Sequence, residues 1–216
     1  SAVEEAGGEV RLETTPEKIL VERGRVTGIR TSEGEEIRAR SFVASGLNPQ
    51  QTFLDLLDES VLPAEWRRRA EAFQYNLLAP LFALNLAMSE PPHYRAAEGR
   101  PYLEQAFMVI LGLEGIGNFP EIVRHHEAGT IPPTVMWGAT PTVFDPSQAP
   151  AGKHTAFMWE KLPYRLGGDP SNWDREKESH GRHMLDFWAQ YAPNVKDAAE
   201  DWFVRSALDT ERTFPN

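Results

Sequence analysis

A chain of 216 residues, 41% of them hydrophobic and 25% charged, has the composition of a globular protein and room for one large domain or two small ones. Its 32 acidic against 22 basic residues give a formal net charge of −10, which argues against non-specific nucleic-acid binding, because that needs a basic patch to neutralise phosphates. The absence of cysteine excludes a disulfide framework, a thiolate metal site and a catalytic thiol. No run reaches the roughly 20 apolar residues of a membrane-spanning helix, and Ser1-Ala2-Val3-Glu4-Glu5 lacks the basic start and apolar core of a signal peptide.

Ser1 to Gly8 reads as the end of a helix closed by Gly7-Gly8. Short β-type runs follow: Val10-Arg11-Leu12, Lys18 to Glu22, Val26 to Thr31, Glu36 to Ala39 and Ser41 to Ser45. Turn signals at Arg23-Gly24 and Glu33-Gly34 separate the middle runs, and period-two alternation between such turns predicts an antiparallel meander. Phe42-Val43-Ala44 is apolar throughout, which predicts a strand buried on both faces in a parallel sheet. Gln51 to Asp58 and Ala64 to Phe73 read as helices, the second opened by Pro63. Leu77 to Met88 predicts a central strand with Phe82, Leu84 and Leu86 on one face. Ala106 to Leu113 predicts another, and a helix from Glu121 to Ala128 ends at Gly129. Thr134 to Phe144 and His154 to Tyr164 read as a hairpin around the turn-rich stretch from Asp145 to Lys153. Asn172 to Tyr191 is an amphipathic helix with Trp173, Met184, Phe187, Trp188 and Tyr191 on its apolar side. Trp202 to Leu208 is the last predicted strand.

Few residues declare chemistry. Glu176, His180 and His183 fall at i, i+4 and i+7 on one helical face. They read as a solvent-facing stripe, with a metal site as the alternative, although H-E-x-x-H is absent. Arg67, Arg68 and Arg69 read as a solvated helix face flanked by Glu65 and Glu71. Asp145 and Lys153 are placed to pair across the hairpin loop. Gly112 to Asn118 is not a G-x-G-x-x-G loop, and no G-x-S-x-G, P-loop or kinase signature supports a hydrolase or phosphotransferase. Six tryptophans and eleven phenylalanines suit an apolar cavity and an ordinary core equally.

Two stretches carry a resemblance. The meander ending in Val43-Ala44-Ser45 resembles the "I-x-V-x-x-G-R-V-x-G-V-x-x-x-x-G-x-x-I-x-A" run and "V-V-x-S" strand of the FAD-dependent oxidoreductases related to phytoene desaturase and amine oxidase. More specifically, Thr142-Val143-Phe144-Asp145-Pro146-Ser147-Gln148-Ala149-Pro150-Ala151-Gly152-Lys153-His154 is similar to that family's "S-x-x-D-P-x-x-A-P-x-G-K-H" string, with Thr142 in place of its Ser. Tyr191-Ala192-Pro193-Asn194 matches its "Y-A-P-N". The resemblance runs in order along nearly the whole chain and is weakest over residues 88 to 120. It implies an α+β fold, with a mixed or antiparallel sheet and helices packed on it, plus the meander of a truncated FAD-binding domain. The implied domains are 1–49 (part of the FAD domain), 50–208 (substrate-binding) and 209–216 (a return segment), both ends being cut from a longer chain.

The same resemblance implies hydride transfer from a lipophilic or amine-like substrate to FAD in the full-length protein, with the 216 residues alone inactive and not retaining FAD. It places Pro16, Glu17 and Lys18 near the adenine and Ser45, Gly46 and Leu47 at the strand end that abuts the cofactor. Pro16 stands where the family usually has Val and offers no N–H. No catalytic residue and no metal is implied. The expected location is cytoplasmic, with contact at a membrane surface left open, and no nucleic acid is an expected partner. A non-enzymatic α+β binding module with an apolar cleft is the alternative function.

Overall fold

The computed structural model describes residues 1–214, which form two compact units dividing after Gln74. In the first, helix α1 (Ala2–Glu5) ends at Gly7, whose φ of +82° lies in the left-handed region. The N–H groups of Gly7 and Gly8 return to the carbonyls of Glu4 and Val3, the glycine closure expected of the sequence. Strands β1 (Pro16–Glu22), β2 (Arg25–Thr31) and β3 (Glu36–Arg38) form an antiparallel sheet in that order. Arg23 and Gly24 both have positive φ, as a two-residue hairpin turn between twisted strands requires.

Two predicted strands are absent. Val10 to Leu12 is irregular and exposed, with Arg11 donating to Glu9 and Glu35. Phe42 to Ala44 is irregular as well, and Phe42 is 77% exposed. The reason is pairing: an apolar run becomes a buried strand only between neighbours. Among the described residues neither run joins a ladder: the sheet holds only β1, β2 and β3, and the outer edge of β1 is engaged where Ile19 N–H donates to the Leu56 carbonyl at 2.7 Å.

The first compact unit runs on past Pro49 to Gln74, and that bond is one of the contacts tying these later residues to the meander. A wide helical turn over Gln51–Asp55 and helix α2 (Ala64–Glu71) follow. Phe53 stacks on Trp66 with centroids 5.7 Å apart, and Lys18 reaches Asp58 at 2.5 Å. Arg67 pairs with Glu59 and Glu71, and Arg69 lies over the Trp66 ring. The arginine run is a solvated face, as its flanking glutamates predict.

The second unit contains β4 (Leu81–Met88), β5 (Val109–Leu111), α3 (Asn118–Ala128), β6 (Met136–Ala139), β7 (His154–Lys161), α4 (Trp173–Tyr191), α5 (Val195–Ala198), β8 (Ala199–Arg205) and α6 (Ala207–Thr213). Its five strands lie in the order β5-β6-β7-β4-β8, every pair antiparallel. The fold class is therefore α+β. Several predicted strands have other bounds than expected. The one over 106–113 keeps only Val109–Leu111, at a sheet edge. The 134–144 run stops before Pro141, which has no N–H for the ladder. The last strand ends at Arg205, because Ser206 and Asp209 close a reciprocal capping box that starts α6. Of the expected return segment, residues 215 and 216 lie outside the described residues.

One face of this sheet is the core. Phe82, Leu84, Leu86 and Met88 of β4, with Met158 of β7 and Met136 of β6, pack against Trp173, Met184 and Trp188 of α4. Each such side chain contributes about 1.5–3 kcal/mol by leaving water. Gly181 lets α4 come this close: a Cβ there would stand 2.4 Å from Val204 Cγ1 and 2.9 Å from the Trp202 ring. The hairpin loop is closed differently from expectation. Asp145 accepts from Ser147 and Gln148, while Lys153 pairs with Glu200. A short carboxylate satisfies its nearest backbone N–H more readily than a distant ammonium.

The Glu176–His180–His183 stripe is not solvated at its centre. Glu160, 1% exposed, and His180, 5% exposed, meet at 2.7 Å between Oε2 and Nε2 inside the core. The face of α4 that carries His180 is the face turned to the sheet, and the Phe82 ring meets the imidazole edge-on at 5.0 Å. His183 bonds separately to Thr134 Oγ1 at 2.9 Å. Among the described residues no three metal-ligating side chains converge. Removing one partner of a buried pair strands the other, so Glu160→Ala should lower stability by about 3 kcal/mol, read from the denaturant midpoint. Glu160→Met combined with His180→Leu should recover most of that loss; an unchanged midpoint in Glu160→Ala would contradict the pairing.

Candidate functional site

Alternation along the strands that fills the core also fixes what the opposite face carries. The ladder registers line up Ile110, Trp137, Trp159, Ala83 and Arg205 in one row across the sheet. Ala139, Phe157, Asn85 and Phe203 form the next row. None of these belongs to the helix-covered core, and Ile110 and Phe203 are 59% and 57% exposed. The Phe157 and Trp159 rings lie 4.6 Å apart, and Trp137 meets Trp159 edge-on at 6.4 Å. The result is a contiguous row of half-buried aromatic rings flanked by exposed Ile110 and Phe203, an apolar surface of the kind that can mark a binding site.

The platform has a polar centre and a charged end. Asn85 is its amide. The Lys161 ammonium lies over the Trp137 ring at 5.8 Å, and burial pushes it below the usual lysine range. Arg205 lies over Phe214. Next to Ala139 opens a cleft of 340 Å³ lined by Pro91, Tyr94, Phe107, Val109 and Val143, among others. The volume is that of a small-ligand pocket. Tyr94 is held on the core side by Trp188, whose Nε1–H donates to the phenol oxygen at 3.2 Å. Burial pushes its pKa up to about 12.

The six residues expected near the cofactor all lie in the first unit. Pro16, Glu17 and Lys18 open β1, where Glu17 accepts from Arg30 and Lys18 pairs with Asp58. Ser45, Gly46 and Leu47 lie in the irregular segment after β3; the Ser45 hydroxyl is 2.7 Å from that of Thr52, and the space beside Gly46 is open. Among the described residues no hydrogen bond or ion pair joins the two triplets. The aromatic platform was missed, although its signal was present: within Thr155 to Lys161 every second residue is Thr, Phe, Trp or Lys, a second face distinct from Ala156, Met158 and Glu160.

In sequence the chain is related to phytoene-desaturase-type proteins, and no family model matches it. It is 27% identical over 215 residues to the mouse pyridine nucleotide-disulfide oxidoreductase domain-containing protein 2, covering 96% of this chain and 36% of that protein. It is 25% identical over 213 residues to the lycopene-forming phytoene desaturase of Pseudescherichia vulneris, covering 96% and 38%. A solved oxidoreductase from Methanosarcina mazei shares the fold with a TM-score of 0.56 at 17% identity, over 94% of this chain and 39% of that one. The chain thus spans about a third of the length of the curated relatives it matches. Among the described residues, no helix is long and apolar enough to cross a membrane.

Tyr94 gives a test of the cleft wall. Unfolded chains ionise tyrosine near pH 10, whereas the folded phenol holds its proton to about pH 12. The unfolded state therefore binds fewer protons in that window, and stability falls as pH rises from 10 to 12. Tyr94→Phe should flatten this part of the stability profile, and ultraviolet titration of the folded protein should show one delayed phenol fewer.

Proposed function

We propose that these 216 residues are the substrate-facing part of a flavin-dependent oxidoreductase that passes hydride from a lipophilic or amine-like substrate to FAD. The open aromatic platform carries the reading. A flat, largely apolar wall with an amide at its centre and Lys161 and Arg205 at one end suits a long apolar molecule. In such enzymes the flavin supplies the redox chemistry, and the protein binds, orients and keeps water away. In this reading residues 1–49 belong to the FAD-binding domain, 50–208 to the substrate-binding domain and 209–216 to the return towards the cofactor.

The chain's own residues do not make a flavin cradle. Pro16 has no N–H to give, the Ser45 hydroxyl already meets Thr52, and Glu17 and Lys18 are ion-paired. Only the open backbone at Gly46 leaves room for close approach. The backbone of Pro16–Lys18 and Ser45–Leu47 is proposed to border the cofactor, the other contacts coming from protein outside these residues. No hydride step is assigned to a side chain here. Trp137, Phe157 and Trp159 hold the substrate by stacking and area burial, and Asn85 orients any polar group on it.

The whole protein that carries this chain should purify yellow, and its flavin should bleach under anaerobic conditions with substrate. The 216 residues alone should be colourless and inactive. Trp159→Ala in the whole protein should reduce kcat/KM about tenfold by removing stacking and buried area, with flavin content unchanged. A whole protein that takes up no flavin overturns the proposal.

A further inference from the structure

The platform is not uniformly apolar. Strands β7 and β8 flank β4, with Lys161 opposite Leu81 and Arg205 opposite Ala83. Both cations therefore sit on the open face at the same end of the sheet. Strand spacing and rise place their Cα atoms roughly 12 Å apart, within reach of one ligand for two long, flexible side chains. The strand positions of this face include one carboxylate, Asp201, opposite Ala87 at the other end, and it accepts from the N–H of Trp202. Among the described residues neither cation has an acidic partner. Lys161 faces the Trp137 ring and Arg205 the Phe214 ring. Acidic residues outnumber basic ones in this chain, 32 to 22, yet among the described residues none is placed beside either of these two cations.

We propose that the ligand of this face is an amphiphile with an anionic head, which sits at the Lys161–Arg205 end while its apolar body lies along Trp137, Trp159 and Phe157. This rests on the face being the substrate wall and, of the lipophilic and amine-like substrates that reading admits, selects a long-chain acid or similar anion and excludes the amine. Two effects favour it. A half-buried ammonium without a counter-charge has lost part of its hydration, and an arriving anion replaces it. The aromatic rings give the chain area and flat contact. A neutral hydrocarbon would gain only the second effect, and an ammonium head would meet like charge.

The test uses the 216-residue chain and three probes of equal length below their micelle-forming concentrations: decanoate, decanol and decylammonium. Binding is followed by tryptophan fluorescence and calorimetry. Decanoate should bind about five- to tenfold more tightly than decanol, decylammonium more weakly than either, and the advantage of decanoate should shrink as salt is raised. Lys161→Met and Arg205→Met should each remove most of that advantage while leaving decanol affinity unchanged. Lys161→Arg should retain it, which guards against a folding defect in the methionine variants. Equal affinity for decanoate and decanol, or a preference unaffected by either methionine variant, overturns the proposal. Flavin content of the whole protein is read independently, so failure of the oxidoreductase reading and failure of the anionic-head reading are separate results.

Discussion

The contact between Glu160 and His180 organises the larger unit. It ties the central strand β7 to helix α4 from inside the core, where a buried pair is tolerated only with close geometry. Glu160 Oε1 has no hydrogen-bond partner and is fully buried, so the site carries a polar cost that an apolar pair would not. What this arrangement fixes is register. A shift of one residue along β7 would take Glu160 out of reach of His180 and turn Trp159 into the core. The helix-covered face and the aromatic face are thus set by the same alternation, and Gly181 allows α4 to sit close enough over β8 to complete the first of them.

Much of the scaffold was legible in the sequence, for physical reasons that also explain the failures. The β1–β3 meander is local: its turns need positive φ at Arg23 and Gly24, and a tight turn writes itself into sequence. The Leu81–Met88 strand and the Trp173–Tyr191 helix announce themselves by strong periodicity. Phe42 to Ala44 misled because composition records apolarity without recording whether a neighbouring strand exists. Residues after Pro49 join the first compact unit partly through a backbone bond from Ile19 to Leu56, of which the side chains give no hint.

The site was less legible than the fold. His180 was visible as part of a polar stripe, but burial depends on which side of α4 meets the sheet. That is a tertiary fact. The platform was spread over five strands whose spatial order, β5-β6-β7-β4-β8, differs from their sequence order. Ile110 and Arg205 share a row across the sheet although almost a hundred positions separate them. The family string at 142–154, the most specific signal in the chain, turns out to frame the loop before β7, with Thr142 Oγ1 3.1 Å from His154 Nδ1 and also accepting from Thr155 N–H. It positions the strand that carries Phe157, Trp159 and Lys161.

The central claim is that ligand binds the aromatic face of this sheet and leaves the helix-packed core alone. Fluorine NMR of the chain labelled with 5-fluorotryptophan tests it most directly, because Trp137 and Trp159 report on one face while Trp173 and Trp188 report on the other. Titration with decanoate should move the Trp137 and Trp159 resonances, assigned by substitution, and leave those of Trp173 and Trp188 in place. Movement confined to Trp173 and Trp188, or no movement at Trp137 and Trp159 at saturating ligand, would contradict the account.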